Sequence, residues 1–168
     1  MPLPYPARHT VIFSILAIST LSVGCGRLLV DTYPIEAAAM EPTLQVGQSA
    51  VVNAHAYRRR TPERGDIVAF EPPPAMAEAI GSRDAVVMFR IIGLPGETVE
   101  VRDGQTWVNN MPLSEPYIQE PAAYTFGPVT VPSQSYFVLG DNRNAAFDSS
   151  HWGFLPQSNL IGQVETSE

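Results

Sequence analysis

The stretch Ala85-Val86-Val87-Met88-Phe89-Arg90-Ile91-Ile92-Gly93-Leu94-Pro95-Gly96 is the centre from which the rest of the chain is read. Its first part, Ala85 to Ile92, is the strongest strand of the chain by its β-branched and aromatic content, and Gly93-Leu94-Pro95-Gly96 closes it as a turn. On the C-terminal side, Thr98 to Arg102 and Thr106 to Asn109 flank Asp103-Gly104, a dipeptide suited to a two-residue hairpin. Tyr136 to Leu139 is a further strand that delivers Gly140-Asp141-Asn142. On the N-terminal side, Ile67 to Phe70 is a strand announced by Arg64-Gly65-Asp66, and Ala50 to Asn53 is another. Between the central strand and Phe70, Glu71-Pro72-Pro73-Pro74 starts a loop, and Ala75 to Ile80 holds one helical turn before Gly81. Ile35 to Leu44 reads as an extended segment entering a turn at Glu41-Pro42. Sixteen prolines and twelve glycines between short apolar runs predict a mostly β fold with many turns.

At 168 residues the chain has room for one modest domain and an anchor. A net charge of −7 with no basic face excludes nucleic acid as the expected partner. The single cysteine, Cys25, excludes an internal disulfide. No Cys/His or carboxylate spacing points to a metal, and no cofactor is implied.

The N-terminus carries a nearly unbroken apolar run from Thr10 to Val23, preceded by Arg8 and His9. Continued through Leu28-Leu29-Val30, it reaches the length of a membrane span, with Arg27 placed to extend its charged head toward the interface. The chain then divides into a cytoplasmic stretch at 1–9, an anchor or uncleaved signal-like segment at 10–30, and an extracytoplasmic domain at 31–168. A rival reading takes Ser22-Val23-Gly24-Cys25 as a lipobox with Cys25 lipidated, although leucine is expected where Ser22 stands. Both place the domain outside the cytoplasm on a membrane, and a free signal peptide is the remaining reading.

Three segments follow one another in a telling order: Ala37-Ala38-Ala39-Met40-Glu41-Pro42-Thr43-Leu44, then Phe89-Arg90-Ile91-Ile92-Gly93-Leu94-Pro95-Gly96, then Gly140-Asp141-Asn142-Arg143-Asn144 leading to Asp148-Ser149. Together they resemble type I signal peptidases, membrane serine proteases that cut signal peptides from exported proteins. The resemblance runs from about Arg27 to Gly162 and takes in the lesser match Arg64-Gly65-Asp66-Ile67-Val68. It implies the mostly β catalytic core of signal peptidase I on one N-terminal anchor, in a plasma or thylakoid-type membrane.

In that family the first segment reads Ser-x-Ser-Met-x-Pro-Thr-Leu with the second Ser as nucleophile, and the second begins Lys-Arg with the Lys as general base. Here those positions hold Ala39 and Phe89. The ten basic residues are all arginine, so no Ser–Lys dyad can form anywhere in the chain. Arginine stays protonated and cannot act as that base. The hydroxyl that helps hold the oxyanion is replaced by Ala37, a donor that can be worth roughly 3 kcal/mol in the transition state. The serine that orients the Lys is replaced by Ala146, and Ser150 stands in place of an arginine. Replacing both partners of a buried polar pair with apolar groups can be nearly neutral, so joint loss is a low-cost route to an inactive core.

By the same resemblance, Met40, Pro42 and Thr43 belong to the nucleophile turn, where they shape a peptide groove or only hold the turn. Asp141, Asn142, Arg143 and Asp148 are bracing residues, with Arg143 the candidate ion partner of Asp148. Arg58-Arg59-Arg60 reads as a solvated run more than a lipid contact. Asp148, Ser149 and His151 are too crowded in sequence for a working triad. Trp107 and Trp152 read as core or interfacial side chains.

Three functional readings result. The first is an inactive homologue that binds signal-peptide-like or exported polypeptide segments without cutting them. The second is a structural subunit or adaptor docked on an active signal peptidase or another membrane complex, with an occluded groove. The third is an active peptidase using unrecognised groups.

Overall fold

The computed structural model describes residues 30–166. The expected stretch 1–9, the anchor up to its last residue and the Cys25 lipidation site lie outside those residues. The described part forms, in order, β1 (Val30–Pro34), β2 (Ser49–Asn53), β3 (Ile67–Phe70), α1 (Pro74–Ile80), β4 (Val87–Gly93), β5 (Thr98–Arg102), β6 (Gln105–Val108), β7 (Met111–Pro112), β8 (Phe126–Thr130), β9 (Ser135–Leu139), α2 (Ser149–Trp152), β10 (Leu155–Pro156) and β11 (Leu160–Glu165). The strands make two antiparallel sheets, a seven-stranded one in the order β1-β2-β11-β3-β4-β9-β10 and a four-stranded one in the order β7-β6-β5-β8.

The apolar density of β4 has a direct cause: both of its faces are covered. Phe89 and Ile91 join the core of the large sheet with Val68, Phe70 and Val138. Ile92 turns the other way and meets Val99, Val101, Phe137 and Leu139 in a second core under the small sheet. Side chains alternate along a strand, so one run of residues serves both layers. Each fully buried Val, Ile or Phe contributes roughly 1.5–3 kcal/mol by leaving water.

Turn chemistry fixes the small sheet. Asp103 and Gly104 have φ of 51° and 76°, the left-handed pair of a type I′ hairpin, and Val101 faces Thr106 across it. Asn109 and Asn110 repeat the device with φ of 51° and 62° and reverse the chain into β7. In α1, Pro74 opens the helix and Gly81 ends it in the left-handed conformation.

The strands β1, β7, β8 and β10 and helix α2 are not expected from the sequence, and two further departures stand out. The segment Ile35 to Leu44 is not extended throughout: Ala38–Met40 tighten into a single 3-10 turn after β1 ends at Pro34. The strand β11, between β2 and β3, gives no alternating signal because Gly162 interrupts it. That glycine is required by close approach, since a Cβ there would lie 2.5 Å from the Asn53 carbonyl oxygen.

Candidate functional site

Beyond β1, Ile35 stays tied to the sheet by its N–H to Gln48 O and by the Gly47 N–H to its own carbonyl, at 2.8 and 2.9 Å. Ala37 is extended, with φ −127° and ψ 145°, and Ala38–Met40 then coil back, closed by Glu41 N–H to Ala38 O. This bend sets the three alanines along one wall of a groove of about 500 Å³. The other wall comes from Met76 and Ile80 of α1 and from Val86 to Phe89, with Phe147 at the rim. Phe89 is buried at 2% exposure and its ring meets that of Phe70 at a centroid distance of 6.0 Å.

The third segment clamps the first. Asn142 donates its backbone N–H to Ala39 O and its side-chain amide to Ala38 O, both at 3.1 Å. The clamp needs Gly140: a Cβ there would lie 2.4 Å from both Ala39 O and the Ala146 methyl. Ala39 and Ala146 are thereby held against one point of the loop. Gly140→Ala should therefore push the alanine wall outward and lower stability by about 1–3 kcal/mol, read as a reduced urea midpoint with an unchanged m value.

Under the groove floor, Asp141 is the anchor. It is 1% exposed and takes Arg90 side-on, Nε to Oδ1 at 2.8 Å and Nη2 to Oδ2 at 2.6 Å. Thr43 Oγ1 donates to the same carboxylate, and Arg90 Nη1 donates to Gly65 O at 2.8 Å. The Arg90 guanidinium also lies 4.0 Å over the Tyr117 ring.

Arg143 does not pair with Asp148 as expected. Glu115 captures it with contacts from both terminal nitrogens, while Nε donates to Gly140 O and Nη1 to Thr106 Oγ1 at 3.0 and 2.7 Å. The sequence separation of 28 residues between Glu115 and Arg143 hid this partner. Asp148 instead accepts the Gly140 N–H at 3.1 Å and both the N–H and hydroxyl of Ser150 at 3.0 and 2.7 Å. Ser149 Oγ accepts the Val138 N–H at 3.0 Å, and His151 Nδ1 meets the Ser150 hydroxyl at 3.0 Å rather than Ser149, so Asp148, Ser149 and His151 form no relay.

Burial pushes the Asp148 carboxyl above its ordinary value, against the opposing pull of the Ser150 and Gly140 hydrogen bonds. A carboxyl raised in the folded state binds its proton there at a pH where the unfolded chain has released it. Its contribution to stability is thus full below the ordinary aspartate pKa and declines as pH rises through the raised folded value. The stability of the natural chain minus that of Asp148→Asn should fall across that window and then level off, measured by urea unfolding at a series of pH values. A difference that does not change with pH would refute the assignment.

The structure gathers Ala37, Ala39, Met40 and Phe89 along the groove, with Ala146 beside it. Pro42 and Thr43 do not line it. Pro42 is exposed, and Thr43 turns down to Asp141. The sequence reading missed the α1 wall, although Met76, Ala77 and Ile80 share a helical face behind the proline run. Among the described residues no His/Cys/Asp/Glu cluster could hold a metal, and no helix is long and apolar enough to cross a membrane.

The family described as signal peptidase, peptidase S26, matches residues 8–167 of this chain. The probable signal peptidase I-2 of Synechocystis sp. is 45% identical over 144 residues, covering 86% of this chain and 65% of that protein. The signal peptidase I of Leptolyngbya laminosa is 41% identical over 144 residues, covering 86% of this chain and 71% of that protein. A crystal structure of a signal peptidase I from Enterococcus faecalis V583 is 35% identical, with a TM-score of 0.49, and covers 63% of this chain and 98% of that one. The chain thus spans a little under two thirds of the length of the Synechocystis relative, at 65%.

Proposed function

The chain belongs to the signal peptidase family, peptidase S26, and from that premise we propose that it is a non-cleaving member that holds exported polypeptide segments in its groove. The observation that carries this reading is an open groove whose reactive positions are filled by Ala39 and Phe89. Beside it, β4 offers a pairing edge. Residues Val87 to Phe89 pair with β3, while pairing with β9 begins only at Arg90. An extended peptide adds there as a strand, through backbone hydrogen bonds that need no nucleophile. The apolar walls and the small alanines favour short side chains on that peptide.

An adaptor with a plugged groove is the weaker reading, because about 500 Å³ remains open next to Phe89. On this proposal the apolar run at 10–30 anchors the chain in a membrane with the β domain on the extracytoplasmic side. The clients are signal-peptide-like segments of exported proteins. The test is native mass spectrometry of the full chain in detergent with a peptide ending in Ala-x-Ala. An intact complex without product is expected, and a cleaved peptide, or none bound, overturns the reading.

A further inference from the structure

Ala145 and Phe147 line both the groove and an adjoining cavity of about 530 Å³. The second cavity differs in chemistry. The rings of Tyr124, Phe126 and Phe147 line it with Ser150 and His151. Asp148 stands behind Ser150, with Oδ1 2.7 Å from the serine hydroxyl. Its side chain is 1% exposed, and the nearest nitrogen able to carry charge is His151 Nδ1 at 3.9 Å. Among the described residues no arginine reaches it.

Arg143 also lines the cavity, but its guanidinium is already consumed. Its side chain is 1% exposed and its charge is matched by Glu115. The Tyr124 hydroxyl is buried and lacks a hydrogen-bond partner among the described residues. Burial beside Asp148 pushes that phenol up to about 12 against the opposing influence of Arg143 and the neighbouring Ser150 hydroxyl, so it stays a neutral hydroxyl. A buried carboxylate with no full cation, a buried phenol oxygen beside it and three aromatic side chains lining the space are together the chemistry that receives a cation.

We propose that this cavity binds a guanidinium or ammonium group, supplied by an arginine or lysine side chain of the polypeptide held in the neighbouring groove. The source of the cation rests on the groove reading, whereas the chemistry of the cavity does not. The two cavities meet at Phe147, so one extended chain can occupy both. The site then adds a charge requirement to a groove that otherwise selects only small apolar side chains.

The test titrates the full chain in detergent micelles with propylguanidinium chloride, and with propylurea as its neutral isostere. Amide NMR signals of residues 147–152 report binding. Propylguanidinium should bind saturably and about fivefold or more tightly than propylurea. Tyr124→Phe should weaken it, and Ser150→Arg, which places a guanidinium in the cavity, should abolish it while the melting temperature shows the fold intact. Equal response to both probes overturns the site. In a second arm, Ala-x-Ala peptides extended with arginine or with citrulline are compared by fluorescence polarisation. Preference for arginine supports the polypeptide as the source, and equal affinity overturns that source. If no peptide binds while propylguanidinium does, the groove reading fails and the cation site stands.

Discussion

Replacing Asp141 with alanine should lower the unfolding free energy by about 3–5 kcal/mol, because it strands a buried arginine. The Arg90 side chain is only 11% exposed, and Asp141 supplies two of its hydrogen bonds in side-on geometry. Without that carboxylate, the guanidinium keeps Gly65 O and the Tyr117 face, which leaves most of its charge uncompensated. Thr43 loses its acceptor as well, so the turn that carries the alanine wall loosens at its base. A domain of this size has roughly 5–15 kcal/mol to lose. The loss should appear as a large drop in urea midpoint. The mechanism is checked by the pair Arg90→Met with Asp141→Ala, which should cost clearly less than the sum of the two single changes. Additive costs would mean that Arg90 and Asp141 do not act as a unit.

This pair also illustrates what the sequence can and cannot carry. Strands built from local composition were readable: Ile67–Phe70 and Thr98–Arg102 appear with the expected bounds, and the Asp103-Gly104 hairpin has the left-handed pair that its residues favour. The reason is that each depends on neighbours a few residues away. Partnerships across the sheets were not readable by the same means. Arg143 reads as the natural partner of nearby Asp148, yet the chain path brings Thr106 of β6 and, from the loop after β7, the better acceptor Glu115. Likewise β11 owes its place to backbone pairing with β2 and β3 around Gly162, a contact that no side-chain pattern announces. The groove is intermediate. Its alanine wall and Phe89 stand in ordered motifs, whereas α1 becomes a wall only through the fold.

Installing Ala39→Ser together with Phe89→Lys should create peptidase activity that neither single change produces. Both positions line the groove, and Asn142 already holds the Ala39 carbonyl in place. A serine there lacks a base unless position 89 supplies one, and a lysine there lacks a nucleophile unless position 39 does. Groups that act as a unit are strongly non-additive in this way. The site also suits a neutral amine, because position 89 is 2% exposed among apolar side chains and desolvation lowers an ammonium's pKa. The gain over the natural chain on an Ala-x-Ala peptide should be about 10²-fold or more, the usual worth of a positioned general base. Losing the Phe89 ring from its packing against Phe70 costs up to about 3–5 kcal/mol, so the double variant needs a melting curve beside each rate. A folded double variant that binds the peptide without cutting it would show that the turn at Ala38–Met40 does not aim position 39 at the bound chain. Cleavage by the natural chain at a comparable rate would instead show that the nucleophile lies elsewhere, and that Ala39 and Phe89 were never the centre of the chemistry.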